Sequence, residues 1–391
     1  MRAQKIGLIL TGGGSRAAYQ VGVLKAIAEF LPRASRSPFA IICGTSAGAL
    51  NAATLAVNAR HFRKGVNYLL NVWKNFRVHE VYRSDFVGVM HNGGRWIAGL
   101  VLSSFGSDKL NYVSLLDNAP LVELLERALP CEMIQESIDS GALHALSITA
   151  SGYGSGESVT FYQGVEGIQP WRRARRVGVP AKIEINHLLA SAAIPFIFPA
   201  VHIHREHFGD GSMRQLSPIS SALHLGADRV LVVGMGHGGD ENDTEQRNKI
   251  DSYPSLAQIA GHALDSIFLD GMEIDLERLQ RINDIVSSIP EDVRPGVNLR
   301  HVDALVISPS QPLEKIAERH LQGLPWTIRV LLRAVGVMRR NGANLVSYLL
   351  FDKSYCRALI DLGYQDALKR KEEIMDFLNQ KERKYENNFP Q

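Results

Sequence analysis

Cysteine is scarce in this chain: Cys43, Cys131 and Cys356 are the only three. An odd, widely spaced set makes neither a disulfide framework nor a C-x-x-C metal knuckle, and Cys43 reads as a small buried hydrophobe. No run of about 18 apolar residues is present, which argues against a membrane-spanning helix. Met1 to Lys5 lacks a signal-peptide pattern and leads straight into Ile6–Leu10, so a reducing, cytoplasmic setting is expected. Low-complexity, collagenous and disordered compositions are also absent. The 391 residues suffice for one large domain or two smaller ones, each with a real core. The sequence shows neither an internal repeat nor a clear interdomain linker.

Acidic residues are missing between Glu29 and Glu80, while Arg33, Arg36, Arg60, Arg63, Lys64, Lys74 and Arg77 fall there. Trp171 opens a second basic cluster, Arg172, Arg173, Arg175 and Arg176. Such patches attract an anionic surface or ligand, or are simply solvated faces. The formal net charge is only +3, and no nucleic-acid partner is expected.

What is present centres on Ile41-Ile42-Cys43-Gly44-Thr45-Ser46-Ala47-Gly48-Ala49. An apolar run with strand character stops at Gly44, and a helix-forming segment begins at Ala49. Between them stands G-x-S-x-G, the nucleophile-elbow pattern, with its serine on a sharp strand-to-helix turn. Residues two before and two after that serine fold against each other, so Gly44 and Gly48 leave room where side chains would collide. Ser46 would project at the helix N-terminus, where N–H groups favour developing negative charge. Taken alone, the pattern equally suits a glycine-flanked connection with an incidental serine.

Upstream, Ile6–Leu10 reads as a strand. Thr11 to Gln20 is a glycine loop opening a helix, with Val23, Leu24 and Ile27 on one face. Phe39 to Cys43 is the second strand. A βαβ unit of this kind sets its strands parallel and adjacent. Both strand-end loops then open at the carboxyl edge of the sheet, where α/β proteins hold their sites, so the Gly12 loop and Ser46 should be neighbours. The loop has three readings. Gly12-x-Gly14-x-x-Ala17 satisfies a dinucleotide-binding pattern, but that expects an acidic residue ending the second strand, and Cys43-Gly44 stands there. Consecutive bare N–H groups would instead suit an oxyanion hole for an intermediate formed on Ser46. A structural turn is the third.

Further along, Asn51 to Phe76 is helical in pattern. Asp85 to Ser107 mixes apolar residues with glycines, as a mobile cover, a lipid-touching surface or core would. Leu115 to Leu129 forms a helix with Asn118-Ala119-Pro120 at its start. A hairpin spans Leu143 to Ala150 and Ser158 to Gln163. A short helix of small residues, Asn186 to Ala193, ends before Pro195. A strand pair, Val201 to His204 and His207-Phe208, leads to Gly209-Asp210-Gly211-Ser212. His202, His204 and His207 suggest a metal cluster or a polar strand face. Ser217 to Leu225 reads as a helix, and Arg229 to Met235 as a buried strand. Gly238 to Ser252 is a polar loop, and Pro254 to about Ser287 one long helix with Ile259, Ala263, Ile267 and Met272 in its apolar stripe. His301 to Ser308 is a last strand, and the chain after Pro309 reads as helical.

The combination of Gly12-Gly13-Gly14-Ser15-Arg16, Gly44 to Gly48 and Asp210-Gly211 resembles the patatin-like phospholipase family, over about residues 5 to 310. The segment Ala190 to Pro199 is similar to the stretch before that family's aspartate. The resemblance implies a three-layer α/β/α fold with a central, mostly parallel sheet, residues 1–310 forming the catalytic domain and 311–391 a helical extension packed on or beside it. It also implies a catalytic dyad in which Ser46 attacks an acyl carbonyl and Asp210 takes its proton. Gly12, Gly13 and Gly14 would hold the oxyanion, with Arg16 setting the loop and adding positive potential. The substrate would be a phospholipid or another acyl ester, and neither metal nor organic cofactor is implied; the basic stretches would let the protein touch an anionic membrane surface transiently. Ala17 and Ser212 depart from the family pattern, where glycine is usual after the Arg and glycine or alanine after Asp-Gly.

A carboxylate serves as base for a serine hydroxyl only if burial raises its pKa or the site acidifies the hydroxyl. The apolar Ile194 to Phe198 stretch could supply that burial. Three alternatives stand beside this reading. One is an α/β-hydrolase triad using a late histidine (His224, His237, His262, His301 or His320). The others are a dinucleotide-binding oxidoreductase and a non-catalytic lipid-binding scaffold.

Overall fold

The computed structural model describes residues 4–83, 114–236, 256–290, 299–325, 329–330 and 343–379. Within them ten strands form one sheet: β1 (Ile6–Leu10), β2 (Ile41–Thr45), β3 (Ala145–Gly152), β4 (Ser158–Gly164), β5 (Trp171–Arg173), β6 (Arg176–Pro180), β7 (Val201–Ile203), β8 (Glu206–Asp210), β9 (Arg229–Val233) and β10 (Asp303–Ile307). Their order is β10-β9-β1-β2-β3-β4-β6-β5, with β8 joined to β3 and β7 to β8. From β10 to β3 every neighbouring pair is parallel. Antiparallel pairing enters at β3–β4, β3–β8, β5–β6 and β7–β8.

The helices that position the site are α1 (Ala18–Phe30), α2 (Ala47–Val57), α3 (Phe62–Asn75), α4 (Ala119–Ala128), α5 (Ile185–Ser191), α6 (Pro218–His224), α7 (Leu256–Asp265), α8 (Gly271–Ser288), α9 (Ala343–Leu349) and α10 (Lys353–Lys369). Strand β1 carries no polar residue and is buried throughout, as a parallel strand covered on both faces must be. Side chains alternate across it. Leu8 and Leu10 join Ile42 in the core beneath α1, α2 and α3, while Ile9 joins Ile41, Cys43 and Val230 beneath α6 and α8. That is a three-layer α/β/α fold. The C-terminal part belongs to the first of these cores, since Tyr355, Cys356, Leu359 and Ile360 of α10 are buried in it with α1.

The structure refines several expectations. The helical region from Asn51 is two helices, α2 and α3, broken near Asn58–His61. The basic cluster at Arg172 to Arg176 is a hairpin, β5–β6, which the pattern did not reveal. The long helix expected from Pro254 to about Ser287 is described from Leu256 on, as α7 and α8 with a π-helical stretch, Ser266–Asp270, between them. Leu264 and Phe268 are buried, while Ile259 is 48% exposed. The segments Asp85 to Ser107 and Gly238 to Ser252 lie outside the described residues. No helix among the described residues is long and apolar enough to cross a membrane.

Candidate active site

Strand β2 ends at Thr45, and α2 begins at Ala47, leaving Ser46 alone at the turn. Its φ of 55° and ψ of −132° are a backbone state that side-chain-bearing residues seldom occupy. The flanking glycines make the turn possible. A Cβ on Gly44 would stand 2.6 Å from the Ala49 Cα, and one on Gly48 would stand 2.6 Å from the Thr11 carbonyl oxygen. The loop after β1 and the elbow after β2 are thus in direct contact, as the βαβ reading requires.

Asp210 ends β8, opposite Ala150 of β3. Its N–H donates to the Ala193 carbonyl at 2.8 Å, tying it to the end of α5. Both Ser46 and Asp210 are buried, at 1% and 0% exposure. The Asp210 Oδ1 accepts the Ser212 N–H at 2.9 Å, whereas Oδ2 is buried with no hydrogen-bond partner of full geometry among the described residues. Burial pushes the carboxyl up to about 6; the nearby Ser46 and Ser212 hydroxyls and the Ser212 N–H pull the other way. The Ser46 hydroxyl is therefore close enough to be felt by the carboxyl without a fully formed bond in this state.

Ser191, which the sequence reading passed over as one small residue among several, holds the elbow. Its hydroxyl accepts the Ser46 N–H at 2.9 Å and donates to the Thr149 carbonyl at 2.6 Å. Ser212, noted only as a departure from a pattern, lies beside both the Asp210 carboxyl and Gly12, where a Cβ would overlap its Oγ. Hydroxyls of this kind leave no spacing signal, because the segments that they join are distant in sequence.

The glycine loop is packed from behind. A Cβ on Gly13 would meet Met235, and one on Gly14, whose φ is +55°, would overlap the Tyr348 carbonyl oxygen. No described residue accepts a backbone N–H from Gly12, Gly13 or Gly14. Arg16, two residues on, is buried and turned toward the C-terminal helices. Its Nε donates to Ser347 Oγ at 2.8 Å and its Nη1 to Tyr348 Oη at 3.0 Å, while Nη2 donates to Asn344 Oδ1. The guanidinium stacks 3.9 Å from the Tyr348 ring centre and pairs with Asp265 at 3.5 Å. Its charge is thus matched within the fold.

Ser46 lines a narrow apolar crevice of only ≈ 30 Å³, walled by Leu50, Trp73, Phe76, Leu121, Ile194 and Phe198 among others. Elsewhere, the His202 and His207 rings lie 4.8 Å apart across the β7–β8 hairpin, and no group of three potential metal ligands forms among the described residues. His224 stacks on Trp171, His301 pairs with Asp303, and His320 faces Ser354. Cys43 is buried and its thiol is pushed up to about 11 by desolvation.

A model of the patatin-like phospholipase family matches residues 8–223. No curated protein matches the chain. Among solved structures, VipD from Legionella pneumophila is 13% identical, with a TM-score of 0.31, covering 92% of this chain and 67% of that one. Full-length ExoU in complex with full-length SpcU, from the type III secretion system of Pseudomonas aeruginosa, is 12% identical, with a TM-score of 0.26, covering 96% and 79%.

Proposed function

The chain belongs to the patatin-like phospholipase family, and we propose that it hydrolyses the carboxylic ester of a lipid through Ser46 and Asp210. One observation carries this reading: a buried carboxyl, raised to about 6 and sensing the Ser46 hydroxyl, keeps one oxygen without a partner. An oxygen in that state is a proton acceptor waiting for a donor, and Ser46 is the donor beside it.

In this reading the Ser46 Oγ attacks the ester carbonyl carbon as its proton passes to Asp210 Oδ2. The carbonyl oxygen becomes an oxyanion, held by the bare N–H groups of Gly12 to Gly14 and the start of α2. Collapse expels the alcohol, which takes the proton back from Asp210, and leaves an acyl-serine. Water then attacks the acyl carbon, giving its proton to Asp210. Oγ recovers that proton as the acid departs. Arg16 acts by fixing the loop rather than by reaching the substrate. Residues 311–391 act with residues 1–310 as one catalytic unit, because Asn344, Ser347 and Tyr348, three of the partners of Arg16, come from α9.

Contact with lipid at an anionic surface fits two features. Phe196 is 69% exposed and belongs to the segment whose Ile194 and Phe198 wall the crevice, and Arg172, Arg173 and Arg175 are exposed on the β5–β6 hairpin. Amphipathic contacts of these kinds hold peripheral proteins to bilayers.

The test is hydrolysis of a mixed lipid extract and labelling by a fluorophosphonate. Ser46→Ala should remove the label and lower kcat by about 10³-fold or more, and both signals in the wild type should survive excess chelator. Labelling that persists in Ser46→Ala, or activity lost to chelator and restored by zinc or calcium, would overturn the dyad.

A further inference from the structure

The strand order turns at β1. From there the chain builds β2 and β3 on one side, and it later lays β9 and β10 on the other. Connections that part at such a point leave a crevice beyond the carboxyl ends of the strands. Here the crevice holds ≈ 180 Å³ and is lined by Thr11 after β1, Gly234 and Met235 after β9, and Ser308 after β10. It shares no residue with the crevice at Ser46.

Its walls are apolar and polarizable, with Met235, Phe268, Met272 and Leu276 among them. Glu273 of α8 is the one charged side chain among the described residues that line it. No described residue gives that carboxylate a hydrogen bond or an ion pair. It reaches over the end of β9, where a Cβ on Gly236 would stand 3.6 Å from Glu273 Oε1. The crevice also borders the glycine loop. A Cβ on Gly12 would stand 2.9 Å from the Phe268 ring and would overlap Ser212 Oγ, and the Ser212 N–H donates to Asp210. One glycine therefore separates a wall of this crevice from the residue beside the proposed base.

Resting on the acyl-hydrolase reading above, we propose that this crevice binds a quaternary ammonium group, with Glu273 as its counter-charge. Size, charge and hydration select that chemistry. A cavity of about 150 Å³ holds the six carbons of benzene, so ≈ 180 Å³ accommodates about seven heavy atoms, the size of choline. One unpaired negative charge attracts a cation and repels phosphate or carboxylate. A primary ammonium is strongly hydrated and would surrender that water to mostly apolar walls. A quaternary ammonium has no N–H to satisfy, and its methyl groups gain from the Phe268 ring and the methionine thioethers.

The experiment compares choline with 3,3-dimethylbutan-1-ol, its uncharged carbon isostere, by calorimetry. Wild type should bind choline about fivefold more tightly than the isostere, and Glu273→Gln, at an exposed position, should erase that difference. Ser308→Leu, which fills the crevice and leaves the charge in place, should abolish binding of both. Lipid vesicles then identify the source of the group. If it is the head group of the substrate, Glu273→Gln lowers the ratio of kcat/KM on phosphatidylcholine to that on phosphatidylglycerol about fivefold. If it is a free cation, added choline changes the hydrolysis of both lipids alike. Choline that does not bind, or that binds wild type and Glu273→Gln equally, overturns the proposal. Choline binding that depends on Glu273, in a protein that hydrolyses no ester, leaves the crevice standing and overturns the acyl-hydrolase reading instead.

Discussion

A single hydroxyl joins Ser191 to Ser46: it accepts the Ser46 N–H at 2.9 Å and donates a hydrogen bond to the Thr149 carbonyl at 2.6 Å. Thr149 precedes Ala150, the residue paired with Asp210 across β3 and β8. The elbow and the strand that presents the carboxylate are therefore coupled through one fully buried side chain. Ser191→Ala would leave a donor and an acceptor unmet in a dry site, costing about 1–3 kcal/mol of stability. A small displacement of Ser46 from Asp210 should lower kcat by about 100-fold with a smaller effect on KM. Urea unfolding and steady-state kinetics on a soluble ester check both; unchanged kcat would mean that the elbow holds itself.

In the proposed dyad the ionised form of Asp210 is the working base, so activity should rise with pH along an acid limb centred near 6, the value to which burial lifts this carboxyl. Ser212 stabilises the ionised form through its hydroxyl as well as its N–H. Ser212→Ala keeps the N–H and removes the hydroxyl, and the limb should move to higher pH. A pH profile of kcat/KM for the two proteins decides it, and a limb that stays in place or moves down contradicts the assignment.

The same burial gives Asp210 an unusual effect on stability. Its folded pKa of about 6 lies above the ordinary 3.8, so between these values the folded chain retains a proton that the unfolded chain has released. Stability from this group is complete below about pH 3.8 and is lost as pH rises through about 6. The gap corresponds to at most about 3 kcal/mol. Asp210→Asn, inactive but uncharged, should therefore unfold at higher temperature than wild type at pH 8, with the difference closing by pH 4. Scanning calorimetry at both pH values tests this, and a mutant less stable at pH 8 would show that the charge is compensated by other groups. Carrying an ion in a dry site at a cost in stability is what a catalytic base requires.

Much of this was legible from local pattern. The alternation of strand, glycine loop and helix fixed the βαβ unit, because each piece is set by periodicity and by turns only glycine allows. Gly44 and Gly48 announced the elbow for the same reason. What the pattern did not disclose is contact between distant segments. Ser191 is an unremarkable serine in a short helix until α5 packs against β3 and α2. Arg16 suggested charge near the site, yet it is matched by Asp265 and by Asn344, Ser347 and Tyr348, more than three hundred residues away for the last three. The strands β5 and β6 are short, and one is mostly arginine, so they carry almost no alternation to read.

The role of the C-terminal helices can be tested at one crossing. Helices α1 and α10 approach closely enough that a Cβ on Gly22 would overlap the Ile360 carbonyl oxygen, and one on Gly363 would overlap the Tyr19 carbonyl oxygen. Both obstacles are backbone, which cannot swing aside as a flexible side chain can. Gly22→Ala should therefore push the helices apart and cost about 2–4 kcal/mol, beyond the ordinary gain in helix propensity that alanine brings. The effect should reach the site. Helix α9 lies directly before α10, and from it Ser347 and Tyr348 hold Arg16 while the Ser347 carbonyl accepts the Ser15 hydroxyl at 2.8 Å. Separating α10 from α1 should loosen that grip on the glycine loop, so fluorophosphonate labelling should slow even at temperatures where the variant remains folded. Far-ultraviolet circular dichroism and labelling rates, taken on the same samples, separate the two effects. A variant that loses stability but labels at the wild-type rate would mean that the C-terminal helices support the fold without shaping the glycine loop.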